Sequence, residues 1–151
     1  MTWIRNTNQV TQAIDFTGIE NGAIHPTDID AVLEFDNEVL ILIEVKKKGN
    51  KIPLGQRLVL ERICEAWRTS KSIILLVTHN FKNDLKNIPL EECYVEKYYT
   101  QQTKWQKFSY YKNGKLKTIL NFLGKQWGIK KLQLWLLLKS LKRIITNKQK
   151  D

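Results

Sequence analysis

Two acidic side chains and a lysine lie close enough in the sequence to act together. Glu44 and Lys46 belong to an apolar run, residues 39–46, and Asp28 and Asp30 lie just upstream. A carboxylate buried in such a strand is costly unless a cation compensates it. Strand residues two apart project from the same face, so Glu44 and Lys46 project together, as do Asp28 and Asp30.

The loop between the two strands decides which upstream acid faces Glu44. A three-residue loop places Asp30 opposite Glu44, whereas a five-residue loop places Asp28 there. Two facing carboxylates repel each other unless a cation joins them, and Mg²⁺ prefers such oxygen ligands. We therefore predict a magnesium site held by Glu44 and by Asp30 or Asp28. The carbonyl of Val45 is a further ligand, and Lys46 could orient or deprotonate a water or stabilise a developing charge.

A simpler interpretation of the same residues needs no metal. Glu44 and Lys46 could form an ion pair on the charged rim of a β-hairpin. The apolar residues around Glu44 disfavour this interpretation, because an acid is seldom buried in so apolar a strand for a rim contact alone.

Hydrophobic periodicity predicts the elements that carry these residues. Continuous apolar runs at residues 39–46 and 72–78 are typical of parallel strands covered on both faces, with a helix between them as the crossover. The predicted fold class is therefore α/β, a mixed central sheet flanked by helices. The predicted helices are 7–20, 54–69, 115–127 and 130–147, and the further predicted strands are 29–35, 93–100 and 104–111.

Charge is segregated along the chain. Residues 1–96 hold 11 Lys and Arg against 14 Asp and Glu, a net charge of −3, whereas residues 97–151 carry +13. A basic half of this kind attracts nucleic-acid phosphates or an anionic membrane surface. Aromatic residues alternate with lysines in 97–112, which suits base stacking, although half of them should be core. The predicted DNA-binding residues are Lys47, Lys48, Lys51, Arg57, Lys104, Lys107 and Lys112.

The remaining sequence features concern location and assembly. Residues 1–16 lack the pattern of a secretory signal, and the apolar run LQLWLLL is far shorter than the roughly 20 residues of a membrane span. Cys64 and Cys93 have no metal-binding spacing. We expect a soluble, cytoplasmic protein without a membrane span. Residues 130–147 form a basic amphipathic helix, for which we predict a homodimer contact; packing on its own domain, or a membrane-surface or nucleic-acid contact, are the alternatives.

The motif PTDID, followed after a hairpin by IEVK, resembles the PD-(D/E)XK nuclease superfamily. Asp30 matches the first acid, with Asp28 as a rival, because Thr27 separates Pro26 from Asp28. Glu44 to Lys46 matches the E-X-K. Gln56 matches a glutamine that many members carry beyond the lysine. The resemblance covers residues 10–80, and we expect a restriction-endonuclease-like core in a nuclease domain of residues 1–128. Residues 129–151 would add a basic C-terminal helix.

The resemblance implies Mg²⁺- or Mn²⁺-dependent hydrolysis of DNA phosphodiesters. Asp30 and Glu44 would bind the metal, Lys46 would assist the attacking water, and Gln56 would position the lysine, water or DNA. Members often use a carboxylate of the first helix too, for which Asp15 and Glu20 are candidates. Among members, Holliday junction resolvases and compact phage-type nucleases are most similar in size. The alternative function is a nucleic-acid-binding protein that does not cleave.

Overall fold

The described part of the structure, a computed structural model, comprises residues 26–82, 87–108 and 114–133. The predicted helix 7–20 and all of the predicted helix 130–147 beyond residue 133 lie outside these residues. The elements in chain order are β1 (Ala31–Phe35), β2 (Val39–Lys47), α1 (Leu54–Ala66), β3 (Ser72–His79), a 3₁₀ turn (Leu90–Glu92), β4 (Tyr94–Thr100), β5 (Lys104–Lys107) and α2 (Leu116–Gln126).

The five strands form one mixed sheet in the order β1-β2-β3-β4-β5. Strands β2 and β3 are parallel, and the other three neighbouring pairs are antiparallel. Helix α1 makes the parallel pair possible, because it returns the chain to the end of the sheet where β2 began. The prediction of an α/β fold with a mixed sheet is confirmed. Within the described residues, no helix is long and apolar enough to cross a membrane.

Both faces of β2 and β3 are covered, as their continuous apolar runs predicted. Leu40 and Leu42 pack with Leu60 and Cys64 of α1 on one face, which we call the α1 side. The alternate residues of β2 pack against α2 on the other face, the α2 side. Leu60 lies four residues before Cys64, so both lie on one side of the helix. Glu44 and Lys46 continue the α1-side row of β2.

Helix α1 is shorter than predicted. Its inward face is formed by Leu60 and Cys64, which are fully buried, whereas Ile63 is 37% exposed. The helix ends at Ala66 and not at residue 69, because Trp67 is extended. The Trp67 indole N–H donates to the Glu38 carbonyl at 3.1 Å. This bond to the β1–β2 turn draws the chain out of the helix.

The predicted hairpin of β4 and β5 is present, with a turn at residues 101–103. Its aromatic side chains pack on both faces of the sheet, where Tyr99 is buried and Tyr98, Trp105 and Phe108 are partly buried, whereas Tyr94 is 49% exposed. Tyr98 and Phe108 pack into the α2-side core, while Tyr99 and Trp105 pack on the α1 side. The packing of these four side chains agrees with the expectation that half of the aromatic residues belong to the core. Base stacking by this hairpin stays a prediction.

Candidate active site

A three-residue turn sets the register of the β1–β2 hairpin. Phe35 pairs with Val39, and Ala31 pairs with Ile43, so the next facing positions are Asp30 and Glu44. The turn, residues 36–38, contains Asp36 at φ 52° and Asn37 at φ 58°. Asp and Asn tolerate this left-handed conformation better than other non-glycine residues. The turn therefore has the odd length that places Asp30 on the α1 side with Glu44.

Asp30 extends the hairpin beyond its last paired residue. Its Oδ2 accepts the backbone N–H of Val45 at 2.7 Å. A side chain thus takes the place of a strand carbonyl, which explains why β1 begins only at Ala31. The same bond fixes the peptide of Val45 beside the Asp30 carboxylate. Of the two upstream acids, Asp30 is the one in register with Glu44.

Glu44 is a fully buried carboxylate with incomplete compensation. Its side chain is 1% exposed, and Lys46 Nζ lies 2.5 Å from its Oε1. Neither carboxylate oxygen accepts a well-directed hydrogen bond within the described residues. Burial raises the pKa of Glu44, the Lys46 contact opposes this rise, and the nearby carboxylate of Asp30 adds to it. The site therefore favours an additional positive charge or a proton at Glu44.

Gln56 connects the lysine to the chain that precedes β1. Its Oε1 accepts from Lys46 Nζ at 3.3 Å, and its Nε2 donates to the Asp28 carbonyl at 3.1 Å. Gln56 lies one helical turn before Leu60, so burial of α1 against the sheet also positions this amide. Asp28 thus contributes its backbone carbonyl to this network. Its carboxylate is still near enough to raise the pKa of Glu44.

The residues present partly fit a divalent cation. A buried carboxylate whose oxygens lack well-directed hydrogen bonds, facing Asp30, is a donor set suited to Mg²⁺. However, no group of three or more His, Cys, Asp or Glu side chains in the described ranges is arranged to hold a metal. A cation here would need the Val45 carbonyl and retained waters besides the two carboxylates, which Mg²⁺ tolerates.

The predicted DNA-binding residues fall into separate groups. Lys47, Lys48 and Lys51 follow the site at the end of β2 and in the next loop, where all three are exposed. Lys104 is already neutralised, because its Nζ lies 2.7 Å from Glu65 Oε1. Arg57 pairs with Glu61 at 3.3 Å, Lys107 is exposed on β5, and Lys112 lies outside the described residues.

Sequence reasoning missed the contacts that join different elements. The Asp30 bond to Val45 and the Gln56 bond to Asp28 depend on tertiary placement, and only the odd loop length indicated the first. In the sequence, Lys97 is one of several lysines that alternate with aromatic residues. Its pairing with Lys107 across β4 and β5 depends on a strand register that the sequence does not reveal.

Comparison of the chain with known protein families, curated proteins and solved structures finds no match. The class of protein is therefore defined by the fold and the site alone. It is an α/β protein in which two carboxylates, a lysine and a glutamine meet at one end of a mixed sheet.

Proposed function

We propose that this protein is a metal-dependent deoxyribonuclease with a restriction-endonuclease-like core. The observation that carries the proposal is the pairing of Asp30 with Glu44 across a hairpin, beside a lysine held by Gln56. Two facing acids with an adjacent cationic side chain suit phosphodiester hydrolysis, since the reaction needs both a polarised water and compensation of phosphate charge.

Each residue of the site has a separate role in this proposal. Asp30, Glu44 and the Val45 carbonyl would hold Mg²⁺ or Mn²⁺, with Asp28 as a further acid nearby. The ion, when bound, would lower the pKa of a water and polarise the phosphate. Lys46 directs its ammonium group to the negative charge that develops on the phosphate. Gln56 is a positioning residue, because its amide holds Lys46 Nζ and the Asp28 carbonyl together.

A nucleic-acid-binding protein that does not cleave is the second candidate. The 2.5 Å contact of Lys46 Nζ with Glu44 favours it, because this ion pair offsets part of the charge of the acid without a metal. The lack of a three-residue metal cluster among the described residues points the same way. In that case the basic residues bind DNA and the Asp30–Glu44 arrangement has no catalytic role.

Cleavage of a panel of DNA forms separates the two candidates. Linear, nicked, flapped and four-way DNA are incubated with Mg²⁺ or Mn²⁺, using wild type and Glu44→Gln. We expect wild type to cleave at least one form and Glu44→Gln to lose at least about 100-fold, as expected when a key electrostatic group of the transition state is removed. DNA binding in Ca²⁺, measured by fluorescence anisotropy, should survive the substitution.

Glu38→Gln is the matched control. It is the same chemical change in the same hairpin, at a side chain that is exposed and paired only loosely with Lys71 at 3.7 Å. It should cleave like wild type. If wild type binds DNA and cleaves none of these forms, the nuclease proposal is contradicted and the non-cleaving nucleic-acid-binding protein is supported.

A further inference from the structure

Three basic residues meet at the same end of the sheet as Glu44, near its β5 edge. Lys97 pairs directly with Lys107 across β4 and β5. Both lie two residues along their strands from Tyr99 and Trp105, which are on the α1 side. Side chains two apart in a strand share a face, so Lys97 and Lys107 also belong to the α1 side.

Arg57 belongs to the same group. Glu61 Oε1 lies 3.3 Å from Arg57 Nε and accepts the Trp105 indole N–H at 2.5 Å, so one oxygen joins α1 to β5. From Glu61, Arg57 is one helical turn back, about 6 Å along the axis. From Trp105, Lys107 is two residues on, about 6.8 Å along β5.

The step from Glu61 to Arg57 along α1 and the step from Trp105 to Lys107 along β5 run toward the same end of the sheet. Strand β5 is parallel to β2, since two antiparallel steps separate it from β3. Helix α1 runs back from the end of β2 to the start of β3. Its first turn, with Arg57, therefore lies at the end of the sheet toward which β5 runs. Arg57, Lys97 and Lys107 form what we call the basic cluster.

The charges of the basic cluster are not balanced within the described residues. Lys97 and Lys107 face each other directly, an arrangement of like charges that destabilises a sheet. Neither has an ion pair with an acid among those residues, and Glu61 is the one carboxylate paired with Arg57. Three cations with one acid attract an anion of more than one charge.

The opposite edge of the same face is acidic. Asp30 and Glu34 project from β1 on the α1 side, facing Glu44 and Leu40. A polyanion crossing the site is therefore repelled from the β1 edge and attracted toward β5. Lys97 lies two strands from Glu44 and Lys107 three, roughly 10 and 14 Å at the usual strand spacing. At 3.4 Å per nucleotide along a duplex axis, this corresponds to about three or four nucleotides.

We propose that the basic cluster of Arg57, Lys97 and Lys107 binds backbone phosphates of a nucleic acid about three or four nucleotides from the Asp30–Glu44 site, so that the bound strand extends toward β5. This inference rests on the proposed function, because the distance in nucleotides is counted from the Asp30–Glu44 site. The binding itself is independent of cleavage, because the attraction between basic side chains and phosphates needs no catalytic group.

The test measures the salt dependence of binding to a 20-base-pair duplex in Ca²⁺, by anisotropy, for wild type and Lys97→Gln/Lys107→Gln. Loss of two phosphate contacts should reduce the slope of log affinity against log salt by about two and weaken binding at low salt.

The matched control is Lys71→Gln/Lys125→Gln, the same charge change at a lysine just before β3, at the end of the sheet opposite Glu44, and at an exposed lysine of α2. It should keep the wild-type slope. Circular dichroism melting confirms that all variants are folded.

The outcomes separate this inference from the proposed nuclease activity. A reduced slope specific to the Lys97 and Lys107 variant supports the basic cluster, even where wild type cleaves no DNA. Cleavage by wild type together with an unchanged slope in that variant overturns the cluster and leaves the nuclease. An equal reduction in the control, or no binding of DNA by wild type, also overturns the cluster.

Discussion

Glu44 brings the stability of the fold into conflict with the proposed chemistry. Its carboxylate is fully buried, and its two oxygens lack well-directed hydrogen bonds within the described residues. The ammonium group of Lys46 lies 2.5 Å from one of these oxygens. Buried polar groups left unsatisfied destabilise a protein by about 1–3 kcal/mol, and more when charged. A group maintained at such a cost is usual at functional sites.

The pH dependence of stability should reveal this cost. Burial raises the pKa of Glu44 above its ordinary value of 4.5. Its contribution to the free energy of unfolding is therefore fully present below pH 4.5 and is lost as the pH rises through the raised pKa. Without metal, Glu44→Gln should be more stable than wild type at neutral pH, by on the order of 1 kcal/mol. The difference should shrink toward pH 4.5.

Chemical denaturation in EDTA at several pH values measures this difference. Addition of Mg²⁺ should then raise the melting temperature of wild type and not that of Glu44→Gln, because a ligand stabilises only a protein that binds it. A variant less stable than wild type at neutral pH would show that the Lys46 contact outweighs the burial of the charge.

At the scale of elements, two carboxylates of α1 attach the helix to the β4–β5 hairpin. Glu61 accepts from the Trp105 indole, and Glu65 accepts from the Tyr99 hydroxyl and from Lys104 Nζ. These contacts hold the helix whose first turn carries Gln56. The placement of the candidate site thus depends partly on an edge hairpin two strands away.

Glu65→Gln tests this attachment. The Lys104 contact, followed by the Tyr99 hydrogen bond, lowers the pKa of Glu65 below 4.5. Its stabilising contribution is therefore present above pH 4.5 and is lost as the pH falls through the lowered pKa. Glu65→Gln should melt at a lower temperature than wild type at neutral pH, and the two should converge in acid. The sign is opposite to that for Glu44→Gln. Glu38→Gln, measured in parallel, should follow wild type throughout.

Local sequence patterns predict the presence of the strands in this fold better than the residues at which its helices end. The runs at residues 39–46 and 72–78 identify buried parallel strands because both faces must be apolar. The alternation of Glu44 and Lys46, with a short turn, also predicts which face carries the site. The end of α1 could not be predicted, since the Glu38 carbonyl that receives the Trp67 indole is 29 residues away in sequence. The basic cluster likewise depends on strand pairings that follow from tertiary structure.

At the scale of the whole molecule, assembly remains a prediction, because the apolar stripe of Leu134, Leu137, Leu138, Leu141 and Ile145 lies outside the described residues. Apolar stripes of this size, where they are exposed, usually mark a contact between copies, and a two-fold dimer would offer two sites to one DNA. At protein concentrations of tens of micromolar, we expect light scattering to give twice the protomer mass of 17.8 kDa. Leu137→Glu/Leu141→Glu should give the protomer mass. A monomeric wild type would contradict the dimer without affecting the proposed site.

The order of the strands has a consequence for folding kinetics. The strands are neighbours in the sheet in the same order as in the chain. The candidate site is built from the consecutive elements β1, β2 and α1, so its hydrogen bonds and its ion pair all join residues within 28–56. These contacts can form while the rest of the chain is still unfolded. Glu44, however, acquires its second strand neighbour, Leu76, only when β3 docks beside β2. If Glu44→Gln accelerates folding, Glu44 is buried by β3 and α1 before the rate-limiting step; if it only slows unfolding, this burial comes afterwards.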